Sequence, residues 1–221
     1  MPVANGPGAA DEAERLRDGI EFLGLAADAR QLQQLVDFSA LVRKWNKAFN
    51  LVSRQDIDRL VSRHVVDSLS VAPLLEEVEG TILDLGSGAG FPGVPLAILY
   101  PQRSFHLCDR MARRTRFLQQ AITALQLANV EVLASDAAAL PGNGQYGVVL
   151  ARAVATVDML WAMVEDMLTD AGRLIVFRST QPEAAAPDDA DRPLPDGVRT
   201  RTRELAVSTT ARHTVLEAGR W

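Results

Sequence analysis

The stretch ILDLGSGAGFPG, residues 82–93, constrains the fold more than any other part of the chain. Apolar residues on both sides of Asp84 have the character of a buried strand, and glycines at 86, 88, 90 and 93 follow at once. Glycine admits positive φ and lets a ligand lie against bare peptide groups. In an open, doubly wound sheet, such a loop sits beyond the carboxyl end of its strand, where ligands bind at the switch point of strand order. The rival reading, a tight strand-to-helix turn with no ligand, leaves so many glycines without a purpose.

The rest of the chain supports that setting. Short apolar runs at 81–86, 104–109, 130–135, 146–153 and 173–179 alternate with helical stretches near 92–99 and 110–127. This alternation predicts an α/β fold whose mostly parallel sheet is covered by helices on both faces. Two β-like segments near 198–207 and 213–218 predict a closing antiparallel pair. Upstream, helical spacing runs through 11–25 and 28–49, the latter with Leu32, Leu35, Val36, Phe38, Leu41, Val42 and Trp45 on one side. A third helix is expected from Asp56, as N-cap, to Leu75, with Leu60, Val61, Val65, Leu69 and Val71 in the core. The expected organisation is a disordered stretch at 1–10, a helical extension at 11–77 and the sheet domain at 78–221, with an exposed acidic, proline-rich loop at 181–197.

Composition narrows the partners. With 221 residues and 48% hydrophobic content, one core is expected. No apolar run is long enough to span a bilayer, and the N-terminus lacks a secretory pattern, so no membrane partner is expected. A single cysteine, Cys108, suits a reducing cytoplasm. A net charge of −5 argues against indiscriminate nucleic-acid binding but leaves room for a local basic face.

The loop itself admits two cofactors. From Gly88, GAGFPG satisfies the G-x-G-x-x-G dinucleotide pattern. Against this, Asp84 would repel a pyrophosphate, and Pro92 and Pro95 place the helix start late. A carboxylate before the glycines suits a ligand with a cationic end, and S-adenosylmethionine carries both an ammonium and a sulfonium. Asp109, closing the second strand, stands where an acid accepts ribose hydroxyls for either ligand. Asp84 thus favours the methyl donor over a nicotinamide dinucleotide.

The residues D-x-G-S-G-A-G-F-P-G-V-P-L-A, with RRTRFL, ARAVA, WNKAFNLVS and RHVVDSL, resemble the bacterial small-subunit (16S) ribosomal RNA guanine-N7 methyltransferases, the glucose-inhibited division protein B family. The resemblance spans roughly residues 45–177 and implies a class I S-adenosylmethionine-dependent methyltransferase, Rossmann-like, acting on 16S ribosomal RNA of the small subunit. It implies donor contacts at Gly86 and Phe91, at Ala137 and Ala138 after the third strand, and at Arg152 after the fourth. General methyltransferase analogy adds Asp84, Gly88 and Asp109. Three positions depart from the family's usual pattern. Ala138 stands where an acid is common, Gly147 replaces the acid of F-D-x-V, and Arg178 occupies a lysine's place.

The acceptor chemistry agrees with a ring nitrogen. LARAV stands where exocyclic-amine methyltransferases carry Asn-Pro-Pro-aromatic, and Cys108 beside Asp109 is a buried small residue rather than a nucleophile. Guanine N7 has an in-plane lone pair and no proton to lose, so no general base is needed and alignment carries the reaction. Arg152 is the one candidate catalytic group. His64, His106 and His213 have no metal spacing, so no metal is expected. Arg110, Arg113, Arg114 and Arg116 on one helix, Arg54, Arg59 and Arg63 before the sheet, and Arg178 are candidates for holding RNA phosphates. His64, Asp67 and Ser68 lie too close along one helix for a hydrolytic triad, and bracing is their expected role. The reading is a monomeric cytoplasmic enzyme. Its rivals are a methyltransferase for another RNA, a protein or a metabolite, an NAD-dependent dehydrogenase, and a non-enzymatic RNA-binding relative.

Overall fold

The computed structural model describes residues 9–53, 55–152, 156–178 and 194–221. Residues 1–8, Arg54, the end of the ARAVA motif and residues 179–193 of the acidic loop region lie outside the described residues.

The two helical patterns become α1 (Ala9–Phe22) and α2 (Ala29–Asn46). Asp28 caps α2: its carboxylate accepts the Gln31 N–H at 2.7 Å, and Gln31 Oε1 accepts the Asp28 N–H at 2.9 Å. The Gln31 amide then donates to the carbonyls of Ile98 and Leu99, while Gln34 donates to Leu125. Both contacts fasten α2 to the carboxyl ends of helices on the sheet.

The expected helix over 56–75 is broken into pieces. A 3₁₀ turn (Ile57–Arg59) precedes a π-helix (Val61–Val66), a short α3 (Asp67–Leu69) and α4 (Ala72–Glu76). Pro73, in the first turn of α4, has no N–H to continue the preceding helix and starts a new one. Asp56 does not cap: its carboxylate takes the Ser53 hydroxyl at 2.6 Å and the Arg63 guanidinium at 3.0 Å. The apolar pattern nevertheless lands in the core, since Leu60, Val61, Val65, Leu69 and Val71 are all buried.

The sheet contains β1 (Thr81–Leu85), β2 (Phe105–Cys108), β3 (Val130–Leu133), β4 (Tyr146–Arg152), β5 (Leu168–Arg178), β6 (Arg199–Ala206) and β7 (Arg212–Gly219), in the order β3-β2-β1-β4-β5-β7-β6. Pairing is parallel from β3 through β5, and β7 enters antiparallel between β5 and β6. Between the strands run α5 (Gly93–Leu99), α6 (Ala112–Leu125) and α7 (Val157–Val164). Chain order reverses between β1 and β4, so their carboxyl ends flank the crevice.

Alternation along β1 divides the core. Ile82 joins Leu35, Phe38, Leu69, Phe105 and Phe117 on the face covered by the N-terminal helices, α5 and α6. Leu83 and Leu85 join Tyr146, Val149 and Trp161 on the other face, under α7. Gly147 has a reason in this packing. A Cβ there would stand 1.7 Å from the Glu79 carbonyl oxygen, so the acid of the family pattern has no room beside this turn.

Candidate cofactor and acceptor site

The loop after β1 is suspended from β2, with the N–H groups of Gly86 and Ser87 donating to the Cys108 carbonyl at 2.8 and 2.9 Å. Its glycines divide into two kinds. Among the described residues, Gly86, at φ +73°, has nothing within 4 Å of where a Cβ would stand, and Gly88, at φ +56°, has only the Gly86 carbonyl oxygen at 3.7 Å. These two leave open space at the crevice, the bare-backbone cradle a ligand requires. Gly93 faces inward, where a Cβ would meet Leu107 at 2.3 Å and the Asp84 carboxylate at 2.7 Å.

Asp84 therefore lies beneath the loop. It is 1% exposed, and its Oδ2 accepts the Gly93 N–H at 3.0 Å. Burial pushes its pKa up to about 7, against the Gly93 and Ser87 hydrogen bonds that pull it down. Its carboxylate braces the strand-to-helix turn, a use the sequence reading did not foresee when it turned this charge toward a ligand.

Asp109, at the end of β2, is also buried, and its carboxylate gathers the crevice walls. It accepts the Gly88 N–H at 3.0 Å, the Met111 N–H at 2.8 Å and the Arg114 guanidinium at 3.3 Å. A carboxylate offers up to about four acceptor directions, and these three contacts among the described residues leave room for a ligand donor. Ala137 and Ala138 form a 3₁₀ turn after β3, with the Ala138 N–H bound at 3.2 Å by Asp136. Phe91 is core in its side chain, 5.2 Å from the Phe38 ring and 5.1 Å from His64. Burial, with the Arg152 charge added, holds the His64 pKa down at about 4, so this imidazole is neutral near pH 7.

Arg152 ends β4 beside the loop, because Ala151 pairs with Leu85. Its Nη2 binds Asp67 Oδ2 at 2.5 Å, its guanidinium lies 5.1 Å from the Phe177 ring centroid, and its Nη1 is buried with no partner among the described residues. Asp67 Oδ1 meets His213 Nδ1, and His213 Nε2 lies 3.2 Å from Ser70 Oγ. Sequence reasoning placed Asp67 and His213 in separate contexts and missed this cluster, since no local signal joins Asp67 to Arg152, 85 positions on, or to His213 beyond it. The bracing expected of the 64–68 segment is realised through Asp67.

The arginines expected at the RNA face separate. Arg113 and Arg116 are exposed on α6, whereas Arg114 is spent on Asp109 and Arg110 lies 3.7 Å from Asp136. Arg59 is exposed, Arg63 pairs with Asp56, and Arg178 stands exposed at the end of β5. Cys108 is buried, its pKa pushed up to about 11 by burial, and it donates toward the Ser135 carbonyl at 3.4 Å. Such a thiol is no nucleophile near neutral pH.

Residues 31–213 match the family model GidB, described as rRNA small subunit methyltransferase G. The chain belongs to this family. Among relatives, the ribosomal RNA small subunit methyltransferase G of Stutzerimonas stutzeri (strain A1501) is 38% identical over 187 residues, covering 85% of each chain. The same-named protein of Pseudomonas aeruginosa (strain LESB58) is 38% identical over 180 residues, or 80% of this chain and 84% of its own. In fold, the chain is similar to the magnesium protoporphyrin IX methyltransferase of Synechocystis PCC 6803 with bound SAM. That likeness has a TM-score of 0.54 at 20% identity, over 89% of this chain and 99% of that one. The GidB fold is thus a class I methyltransferase sheet with its helical part packed on one face.

Proposed function

We propose that the chain methylates N7 of a guanine in 16S ribosomal RNA of the small subunit, using S-adenosylmethionine. The observation that carries this reading is family membership across residues 31–213, joined to open glycine backbone at the sheet's switch point. When bound, the donor supplies a methyl group already activated by its sulfonium.

The chain's own residues do the rest by binding and alignment. Gly86 and Gly88 offer bare backbone, Asp109 an acceptor, Ala137 and Ala138 a backbone edge, and Arg152 a guanidinium nitrogen. A guanine N7 presents a lone pair without a proton, so the crevice needs no base poised to receive one. Arg113, Arg116 and Arg178 are the side chains we assign to phosphates of the RNA. We read the enzyme as a cytoplasmic monomer, as suits work on ribosomal RNA by one site on one chain.

Calorimetry with S-adenosylmethionine and with NAD tests the donor: binding of the first alone is expected, and binding of NAD alone favours a dehydrogenase. Mapping N7-methylguanine in small-subunit ribosomal RNA from cells with and without the gene tests the acceptor. A modification pattern unchanged by deletion would overturn it.

A further inference from the structure

With the crevice taken as a donor site, we infer that His213 and Asp67 are positioning residues that set the guanidinium of Arg152 for its ligand. Three distant segments build the arrangement: α3 contributes Asp67, β4 contributes Arg152 and β7 contributes His213. Asp67 divides its two oxygens, Oδ2 to Arg152 Nη2 and Oδ1 to His213 Nδ1. Ser70 holds the far side of the imidazole at 3.2 Å while donating its own hydroxyl proton to the Asp67 carbonyl at 2.7 Å. Phe177 lies against both partners of Asp67, 5.1 Å from the Arg152 guanidinium and 5.5 Å from the His213 ring.

The geometry acts on direction. A guanidinium is planar, so pinning one nitrogen while its carbon rests over a ring restricts where the other nitrogen points. That other nitrogen, Nη1, is buried and has no hydrogen-bond partner among the described residues. The terminal torsion of an aspartate is broad when nothing restrains it. His213, by taking Oδ1, stops the carboxylate from turning and therefore stops Nη2 from following it. A buried ionic cluster is a poor source of net stability compared with apolar packing of equal volume. Its use here is the aim it gives to Arg152.

The test compares the whole chain with H213L, H213N, H213Q, R152M and the double variant R152M/H213L, by calorimetry with S-adenosylmethionine and by thermal unfolding. An asparagine amide nitrogen stands where Nδ1 stood and keeps the donor to Asp67, whereas a glutamine amide reaches toward Ser70 instead. H213L is expected to weaken binding about tenfold, and H213N less than about threefold. Adding H213L to R152M is expected to change affinity no further, because the two act through one group. Equal and additive losses in both backgrounds would overturn the inference, as would H213L binding like the parent. Should H213L fail to fold, the pair H213N and H213Q decides: retention in the first and loss in the second is expected, and the reverse order overturns it. A parent chain that binds no donor would instead overturn the reading of the site, and this role with it.

Discussion

Two aspartates stand on opposite sides of the crevice, Asp84 buried beneath the glycine loop and Asp67 part-buried behind Arg152, and burial acts on both in the same direction. Their pKa values nevertheless move apart. For Asp84, burial dominates and carries the carboxyl up to about 7, outweighing the Gly93 N–H, the Ser87 hydroxyl and the more weakly felt Arg152 charge that oppose it. For Asp67, burial is again the largest single influence, yet the opposing influences, led by the His213 hydrogen bond and the Arg152 charge, outweigh it and hold the carboxyl below its ordinary value. An acid taken from water keeps its charge where a guanidinium pairs with it directly, and tends toward neutrality where its direct contacts are neutral donors. The loop side of the crevice is thus shaped by bare backbone over a poorly compensated acid. The Arg152 side is shaped by charge.

The largest effect that would break this contrast is expected from D67A, which leaves the part-buried Arg152 guanidinium without its counter-ion and the buried His213 ring without its carboxylate contact. A loss of about 4 kcal/mol in urea unfolding is expected, and a loss under 1 kcal/mol would mean the cluster is not electrostatically coupled. D84N should move the other way. Between the ordinary pKa of 3.8 and about 7 the folded chain holds a proton that the unfolded chain gives up, so the Asp84 contribution to stability falls as pH rises through that window. D84N lacks this slope, keeps an oxygen for the Gly93 N–H, and is expected to be more stable at pH 8 by on the order of 3 kcal/mol. Asp67 has the opposite linkage, its contribution being present above the ordinary carboxylate pKa and lost as pH falls through the lowered value. Unfolding of D84N and D67A from pH 4 to pH 8 separates the two slopes.

The glycines sharpen the comparison further. G93A drives a methyl group into Leu107 and Asp84, and a loss of about 2 kcal/mol is expected in thermal or urea unfolding. G86A meets open space and strains only its own φ of +73°, which is expected to cost about 1 kcal/mol, while donor affinity measured by calorimetry falls about tenfold. If G86A lost stability like G93A and bound donor normally, the two kinds of glycine would be one. The smallest change in stability is expected from R113A and R116A, within about 0.5 kcal/mol, with RNA affinity instead losing about one unit of its salt slope for each arginine.

Much of this was legible along the chain. The helix α2 announced itself through its apolar stripe, and the strand–glycine–helix unit at 82–93 through contiguous residues. The helix over 56–75 was misjudged because apolar spacing records which face is buried, and Leu60 to Val71 are buried, without recording the π-helical register or the new start at Pro73. Gly147 looked like a departure from a pattern until the Glu79 carbonyl was found against it.

Order within a dozen residues was written locally, since strand alternation, glycine torsions and helix caps depend on neighbours in the chain. The state of each buried charge was settled elsewhere. Arg152 meets its aspartate from 85 residues away, and Ser70 meets His213 from 143. Desolvation and Coulomb attraction depend on distance in space, and that distance exists only once the sheet has closed around β7.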